Sequence, residues 1–204
     1  MFDTVDHTPL VEKLKAIGAG SQVVEWFASY LDLRYQVTSV EGYQSPPCEV
    51  HVGVPQSSIL GPLLYLSYVN DLLNCLEHCQ VILYADENVI YFSGKRCQDI
   101  QYHLNVDLAN LAQWFDSNYL TLNTKKSKFL LFGSHRRLQT CQGIKLEIDN
   151  KELENTDSIK YLGVVIQKNM TWLEHIESLI TKIKQRIGLL KRVKHLLPDR
   201  KSVV

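Results

Sequence analysis

The stretch LYADENVIY, Leu83–Tyr91, places Asp86 and Glu87 between two short runs of apolar, strand-forming residues. The runs VILYA and VIYF predict a β-hairpin with the acidic pair near its tip. Such a pair has two interpretations. It is an ordinary turn, since aspartate favours turns, or it is a site for a hard divalent cation, which prefers carboxylate oxygens. The pair alone favours the turn, so the surrounding sequence has to decide.

The chain has 204 residues, of which 45% are hydrophobic, enough for one sizeable domain or one domain with an appendage. No stretch approaches the roughly 18 consecutive apolar residues of a membrane span. The start, MFDTVDHTPL, lacks the basic and apolar regions of a signal peptide. We therefore expect an intracellular protein, nuclear or cytoplasmic, that does not enter a membrane.

The charge is zero overall but is unevenly distributed. Residues 1–100 carry 5 basic and 12 acidic side chains, and residues 101–204 carry 17 basic and 10 acidic side chains. This asymmetry favours an acidic first part and a second part that faces a polyanion.

Helical and strand patterns are mixed along the chain without strict alternation, which predicts an α+β fold. We expect an antiparallel sheet with helices on one face and the hairpin tip on the open face. Helical periodicity is clearest at three places: after Thr8, from Gln98 to Leu120, and from Thr171 towards Pro198.

Several long stretches carry a family resemblance in a fixed order: FDTVDHTPLVEKLKAIG (2–18), GVPQSSILGPLLYLSYVNDL (53–72), LYADENVIY (83–91), LTLNTKKSKFLLFGS (120–134) and IKYLGVVIQKNMTWLEHI (159–176). Together they resemble the reverse transcriptase (RNA-directed DNA polymerase) domain of non-LTR, LINE-type retrotransposons. The resemblance implies a partial right-hand polymerase palm over residues 1–170, including a primer-grip-like hairpin. A thumb-like basic helix over residues 171–204 would follow, and the fingers would be absent.

In this family the hairpin reads Tyr-Ala-Asp-Asp and holds catalytic metal, so the resemblance implies Mg²⁺ ligands at Asp86 and Glu87. The glutamate keeps the charge but moves the carboxylate by about 1.5 Å, the length of one C–C bond. Catalytic constellations tolerate about 0.5 Å of misplacement. We therefore expect a large loss of rate.

The family's first motif places an essential aspartate five residues before an aromatic side chain that excludes the ribose 2′-hydroxyl. That aromatic residue corresponds to Phe2, so the aspartate would precede Met1. Neither Asp3 nor Asp6 replaces it, because both match the continuation of the motif. The expectation is an amino-terminally truncated, degenerate and inactive copy.

Two further stretches imply contacts to the nucleotide. Gln56 matches the family's Pro-Gln-Gly-Ser loop, in which Ser57 replaces the glycine; the alternative interpretation is simple loop hydration. Lys126 matches the lysine of a Leu-Asn-x-x-Lys motif near the departing pyrophosphate. A lysine there can donate a proton to phosphate oxygens, and the alternative is a solvated basic run.

The resemblance places the primer grip at Tyr161, Leu162 and Gly163, which could equally be an apolar core strand. The final helix would contact the primer–template backbone through Lys184, Lys191, Arg192 and Lys194 while its apolar stripe packs internally. The alternatives for this helix are a charged solvent face and a coiled-coil partner surface, given the spacing near 3.5 residues.

The leading hypothesis is a reverse transcriptase fragment whose intact relatives copy an RNA template from a DNA primer with deoxynucleoside triphosphates and Mg²⁺. The second hypothesis is a noncatalytic remnant that binds nucleic acid or a partner. A third is a fragment without a selected function that folds poorly.

Overall fold

The computed structural model describes residues 2–55, 58–85, 87–141 and 143–194, with the side chain of Phe2 outside the description. It divides into two compact units. The first comprises residues 1–127 and 143–153, and the second comprises residues 128–142 and 154–204. The two segments of each unit are separated in sequence by part of the other.

Four α-helices build the first unit: α1 (His7–Ala16), α2 (Ser21–Leu31), α3 (Leu60–Val69) and α4 (Cys97–Ser117). Short 3₁₀ helices cover Phe2–Thr4 and Asn70–Cys75. The first helix begins at His7, and its N-cap lies two residues before Thr8. Asp6 is its N-cap, and the Asp6 carboxylate accepts the backbone N–H of Thr8 at 2.9 Å. The cap is therefore the residue whose side chain satisfies an otherwise unpaired N–H group.

The core of the first unit is formed by the apolar faces of its helices. Leu10, Leu64, Tyr65 and Tyr68 are almost fully buried. Lys13 also points inward, and its Nζ donates to the backbone oxygen of Tyr68 at 2.7 Å and to Asp71 Oδ1 at 2.6 Å. This ion pair joins α1 to the 3₁₀ helix that follows α3. A half-buried lysine is stable here because its charge is paired and hydrogen-bonded.

The strands of the first unit form small antiparallel pairs: β1 (Tyr35–Gln36) with β4 (Cys48–Glu49), β2 (Ser39–Val40) with β3 (Tyr43–Gln44), β5 (Gln80–Tyr84) with β6 (Glu87–Tyr91), and β8 (Glu147–Ile148) with β9 (Lys151–Glu152). Among the described strands of this unit, only β5 and β6 are longer than two residues. They form the predicted hairpin.

The second unit contains β7 (Lys128–Phe129), α5 (His135–Thr140), β10 (Glu154–Asn155), β11 (Ser158–Tyr161), β12 (Val164–Gln167) and α6 (Leu173–Val193). Strand β10 pairs with β7 in parallel, and β11 pairs with β12 in a hairpin. All buried side chains among the described residues belong to the first unit.

The final helix differs from its prediction. We expected its apolar stripe to pack internally, but α6 contains no buried residue. The six stripe side chains are 45–62% exposed: Leu173, Ile176, Ile180, Ile183, Ile187 and Leu190. Within the second unit, strand β12 contacts α6 at the start of the helix. There the backbone N–H of Val165 donates to His175 Nδ1 at 3.3 Å.

The α+β class is confirmed, since six helices and small sheets are mixed along the described chain. The expected continuous antiparallel sheet is not formed by the described strands, which pair two by two, and one of the pairs is parallel. Most of these strands have only two paired residues, too few for a continuous ladder. None of the described helices has the length and apolar character of a membrane span.

Candidate functional site

The candidate metal site is built on the β5–β6 hairpin. Its register pairs Tyr84 with Glu87 and Leu83 with Asn88, so two residues separate the paired strands in the sequence. Ala85 has a φ of +51°, the left-handed conformation that tight hairpin turns require. Asp86, the main predicted ligand, lies outside the described residues. The hairpin predicted from the sequence is confirmed.

Glu87 is the first residue of β6, and its side chain is exposed. Its carboxylate oxygens are of the type that Mg²⁺ prefers. A third carboxylate would normally complete such a site. Across the part of the chain that the structure describes, no three His, Cys, Asp or Glu side chains are grouped closely enough to hold a metal ion. Glu87 therefore fits Mg²⁺ by donor type, although the described residues contain no group of three such ligands.

A buried carboxylate holds the segment that leads into this hairpin. Asp107, on α4, is 0% exposed and accepts three backbone N–H groups. Glu77 donates to Oδ1 at 3.0 Å, and His78 and Cys79 donate to Oδ2 at 2.9 and 2.6 Å. Strand β5 begins at the next residue, Gln80. Asp107 thus fixes where the hairpin starts relative to α4.

The electrostatics of Asp107 follow from these bonds. Burial by itself would raise the pKa of Asp107, but the N–H groups of Glu77 and His78, together with Cys79, hold that pKa below its ordinary value. Burial of the Cys79 thiol raises its pKa to about 12, and the hydrogen bond and negative charge of Asp107 contribute to this increase. The cluster is therefore an ionised acceptor beside a protonated thiol, which suits anchoring of a chain segment rather than nucleophilic chemistry.

The sequence analysis overlooked Asp107. It lies three residues after Leu104 and four before Leu111, in phase with the apolar stripe of its helix. A carboxylate at a core position requires hydrogen-bond partners. An aspartate in the apolar stripe therefore predicts a buried, hydrogen-bonded carboxylate.

Hydrogen bonds and close packing hold the residues on both sides of the loop expected to bind the nucleotide. Gln56 and Ser57 lie outside the described residues. The Ser58 hydroxyl donates to the backbone oxygen of Pro55 at 2.8 Å and accepts the N–H of Gly61 at 2.8 Å. A Cβ on Gly61 would lie 2.7 Å from the oxygen of Pro55. Only glycine fits there, because the chain at Pro55 approaches the first turn of α3 so closely.

The same loop is tied to the amino-terminal segment. The N–H of Gly53 donates to the oxygen of Val5 at 2.7 Å, and His7 Nε2 lies 2.8 Å from the oxygen of Gly53. Gly53 has a φ of +94°, and a Cβ there would lie 3.0 Å from Cα of Asp3. The structure therefore brings residues 3–5 close to Gly53. The nucleotide-binding roles of Phe2, Gln56 and Ser57 stay predictions.

Lys126 lies on a turn closed by Asn123. The backbone oxygen of Asn123 accepts the N–H groups of Lys126 at 3.0 Å and Ser127 at 3.2 Å. Asn123 Oδ1 also lies 3.3 Å from the Lys126 nitrogen. The Lys126 side chain is exposed. The asparagine of the Leu-Asn-x-x-Lys motif thus has a local structural reason, while the chemical role of Lys126 stays a prediction.

The predicted primer-grip segment is a hairpin of the second unit. Tyr161 pairs with Val164, so Leu162 and Gly163 form a two-residue loop. Their φ angles are +46° and +85°. A left-handed leucine is strained by about 1–2 kcal/mol. Tyr161 and Val164 both belong to strands, but neither they nor Leu162 and Gly163 are buried, so the segment is not a core strand. The role in primer positioning stays a prediction.

The basic residues predicted to bind nucleic acid lie on exposed helix. Lys184, Lys191 and Arg192 belong to α6, and Lys194 follows its last residue. All four side chains are exposed. The two acidic residues of α6, Glu174 and Glu177, lie near its amino-terminal end, so positive charge dominates the rest of the helix.

Comparison with known proteins identifies the family. The family model described as reverse transcriptase (RNA-dependent DNA polymerase) matches residues 1–166. The chain belongs to this family. The match includes the β5–β6 hairpin, Lys126 and the strand pair β11–β12 almost to its end.

Relatives of this reverse transcriptase chain come from non-LTR retrotransposons. It is 28% identical over 199 residues to a probable RNA-directed DNA polymerase from transposon BS of Drosophila melanogaster, covering 93% of the chain and 21% of the relative. It is 26% identical over 194 residues to the RNA-directed DNA polymerase from mobile element jockey of the same species, covering 92% and 21%. A putative 115 kDa protein of the R1DM element is 26% identical over 194 residues, covering 94% and 18%. The chain therefore spans about a fifth of the length of these relatives.

Proposed function

We propose that this chain is the palm section and the start of the thumb of an RNA-directed DNA polymerase, and that Glu87 makes its own rate of synthesis very low. The substrates would be an RNA template, a DNA primer and deoxynucleoside triphosphates. The observation that carries the proposal is the reverse transcriptase match over residues 1–166, with the β5–β6 hairpin inside it.

Mg²⁺ would be held by Asp86 and Glu87. The ion would stabilise negative charge on the phosphoryl oxygens during nucleotide transfer. Glu87 begins a strand whose register fixes its backbone, so the extra methylene of glutamate displaces the carboxylate rather than the chain. This displacement supports a low rate, because catalytic groups act only over small deviations in position.

Other residues would bind and orient the reactants. Gln56 and Ser57 would contact the nucleotide, next to Phe2, since Gly53 and Val5 are hydrogen-bonded at 2.7 Å. Lys126 would donate a proton to the leaving pyrophosphate or stabilise it by its positive charge. Tyr161, Leu162 and Gly163 would position the primer end from a rigid two-residue hairpin loop.

Primer extension tests this function. The purified chain, extended at its amino terminus by a first motif that supplies the essential aspartate, would be given a DNA primer on an RNA template, the four nucleotides and Mg²⁺ or Mn²⁺. We expect weak incorporation that Asp86→Ala abolishes, and stronger incorporation by Glu87→Asp. Incorporation by the wild type as fast as by Glu87→Asp would contradict the low rate. No incorporation by either would instead favour a noncatalytic role.

A noncatalytic function is the second candidate, and the exposed charge of α6 favours it. Six basic side chains, at positions 182, 184, 186, 191, 192 and 194, lie on one exposed segment. Lysine and arginine at this density bind phosphate backbones without regard to base sequence. The chain would then bind an RNA–DNA duplex without copying it, a property that salt-dependent binding measures directly.

A further inference from the structure

The exposed apolar stripe of α6 follows a strict heptad pattern. Leu173, Ile176, Ile180, Ile183, Ile187 and Leu190 are separated alternately by three and four residues. Each is between 45% and 62% exposed. In heptad notation these six residues occupy the a and d positions, the seam of a coiled coil. A free helix in water does not leave such a seam uncovered, because burying it is strongly favourable.

We propose that α6 pairs with α6 of a second copy of this chain, in antiparallel orientation. The helix has 21 residues, three heptads, so an antiparallel alignment can cover the whole seam. Leu173 would lie opposite the partner's Leu190, Ile176 opposite the partner's Ile187, and Ile180 opposite the partner's Ile183. The twofold axis would pass between the two Thr181–Lys182 segments, which makes the interface self-complementary.

The charges beside the seam decide the orientation. The e positions, which flank the seam, hold Glu177, Lys184 and Lys191, and all three side chains are exposed. In an antiparallel pair, e positions face e positions, so Glu177 lies beside the partner's Lys184 twice. In a parallel pair, g faces e of the following heptad, so Arg186 would face the partner's Lys191. Opposite charges therefore favour the antiparallel pair, and like charges oppose the parallel one.

The remaining flanking positions are compatible with this arrangement. The g position of the first heptad is Leu179, which widens the apolar seam. The methylene groups of the partner's Arg186 would pack against Leu179. The outward positions of the helix keep Lys182 and Arg192 exposed. A dimer would thus still present basic side chains on the surface away from the seam, which is where nucleic-acid phosphates would bind.

Analytical ultracentrifugation of the full 204-residue chain tests the seam. We expect a dimer whose dissociation constant rises about a hundredfold in Ile183→Asp, because each dimer loses two buried isoleucines. Ile59→Asp is the matched control, since Ile59 is 96% exposed at the start of α3, and it should leave the dissociation constant unchanged. A wild-type chain that stays monomeric at high micromolar concentration would overturn the proposal. So would an equal effect of the two substitutions.

A charge exchange tests the orientation. Glu177→Lys or Lys184→Glu alone should each weaken the dimer about fivefold, since each creates two like-charged pairs. The double variant restores both opposite-charge pairs and should return the dissociation constant to within about twofold of the wild type. Circular dichroism verifies that each variant keeps its helix content. A double variant no stronger than either single variant would rule out the antiparallel pair.

Discussion

The backbone nitrogen of Cys79 lies 2.6 Å from Oδ2 of Asp107, one residue before strand β5 begins. The candidate metal hairpin is thus anchored by a carboxylate that has no place in the catalytic motifs. Two other N–H groups, from Glu77 and His78, converge on the same side chain. An ionised acceptor of this kind forms stronger hydrogen bonds than a neutral one. The position of the hairpin therefore depends on α4.

Replacing this acceptor should destabilise the first unit. Asp107→Asn keeps the shape but turns one acceptor into a donor that faces N–H groups, and we expect a loss of about 2–4 kcal/mol in the free energy of unfolding. Asp116→Asn is the control, because Asp116 is exposed on the same helix and should change stability by less than about 0.5 kcal/mol. Urea unfolding followed by circular dichroism measures both. Equal effects would show that Asp107 is not an anchor.

The same bonds predict a pH dependence. The folded state lowers the pKa of Asp107 below its unfolded value, so the unfolded state binds the proton more readily. The stabilisation is present above about pH 4, the pKa of an unfolded aspartate, and is lost as the pH falls through the lower folded pKa. The stability difference between wild type and Asp107→Asn should therefore shrink in acid. A difference that is the same at pH 7 and pH 3 would contradict this.

Shortening the second hairpin carboxylate should raise the rate of DNA synthesis. Glu87→Asp returns the carboxylate to the distance of an Asp-Asp pair, and a displacement of about 1 Å in a catalytic site costs about a hundredfold. We therefore expect about a hundredfold more incorporation in primer extension, measured with the chain that carries a first-motif aspartate ahead of Phe2. Glu49→Asp makes the same change on another exposed strand, β4, and should have no effect. If both variants behave like wild type, the low rate has a cause other than Glu87.

Leu162 has a strained backbone conformation, so a residue that relieves the strain should stabilise the β11–β12 hairpin and could weaken primer positioning. Asparagine adopts the left-handed conformation far more readily than leucine, so Leu162→Asn should stabilise the β11–β12 hairpin by about 1 kcal/mol. Slower hydrogen exchange of the hairpin amides, by about fivefold, would show it. Primer extension should fall at the same time if the leucine side chain positions the primer. Leu33→Asn changes another left-handed leucine, with a φ of +50°, and should leave the β11–β12 amides unaffected.

Neutralising three basic residues tests nucleic-acid binding by α6. The triple change of Lys191, Arg192 and Lys194 to glutamine should weaken binding to an RNA–DNA duplex about tenfold to a hundredfold. The slope of log affinity against log salt should fall by about one for each phosphate contact removed. The matched control replaces three exposed lysines outside α6: Lys15, Lys95 and Lys145. Equal losses in the two triple variants would indicate charge in general rather than this helix.

Local sequence patterns predicted much of this fold. The hairpin at Leu83–Tyr91 follows from two apolar, strand-forming runs around a short acidic connection, and its register is found in the structure. The helix after Thr171 could be read in the same way. The hairpin around Leu162 and Gly163 was implied by the family resemblance and not by a local pattern. The amino-terminal segment and the loop before Gln56 are far apart in sequence. The hydrogen bond between Val5 and Gly53 brings them together, and no local pattern predicts it. The extent of each strand pairing also depended on distant partners.

The family, the α+β class, the acidic hairpin and the basic, heptad-patterned final helix follow from neighbouring residues or from an ordered set of motifs. The folded structure was needed to see that Asp107 anchors the start of the hairpin and that Gly61 leaves room for the backbone of Pro55 beside α3. It also showed that the seam of α6 is exposed. Burial and the closure of distant hydrogen bonds are properties of the folded chain, so no stretch of sequence contains them.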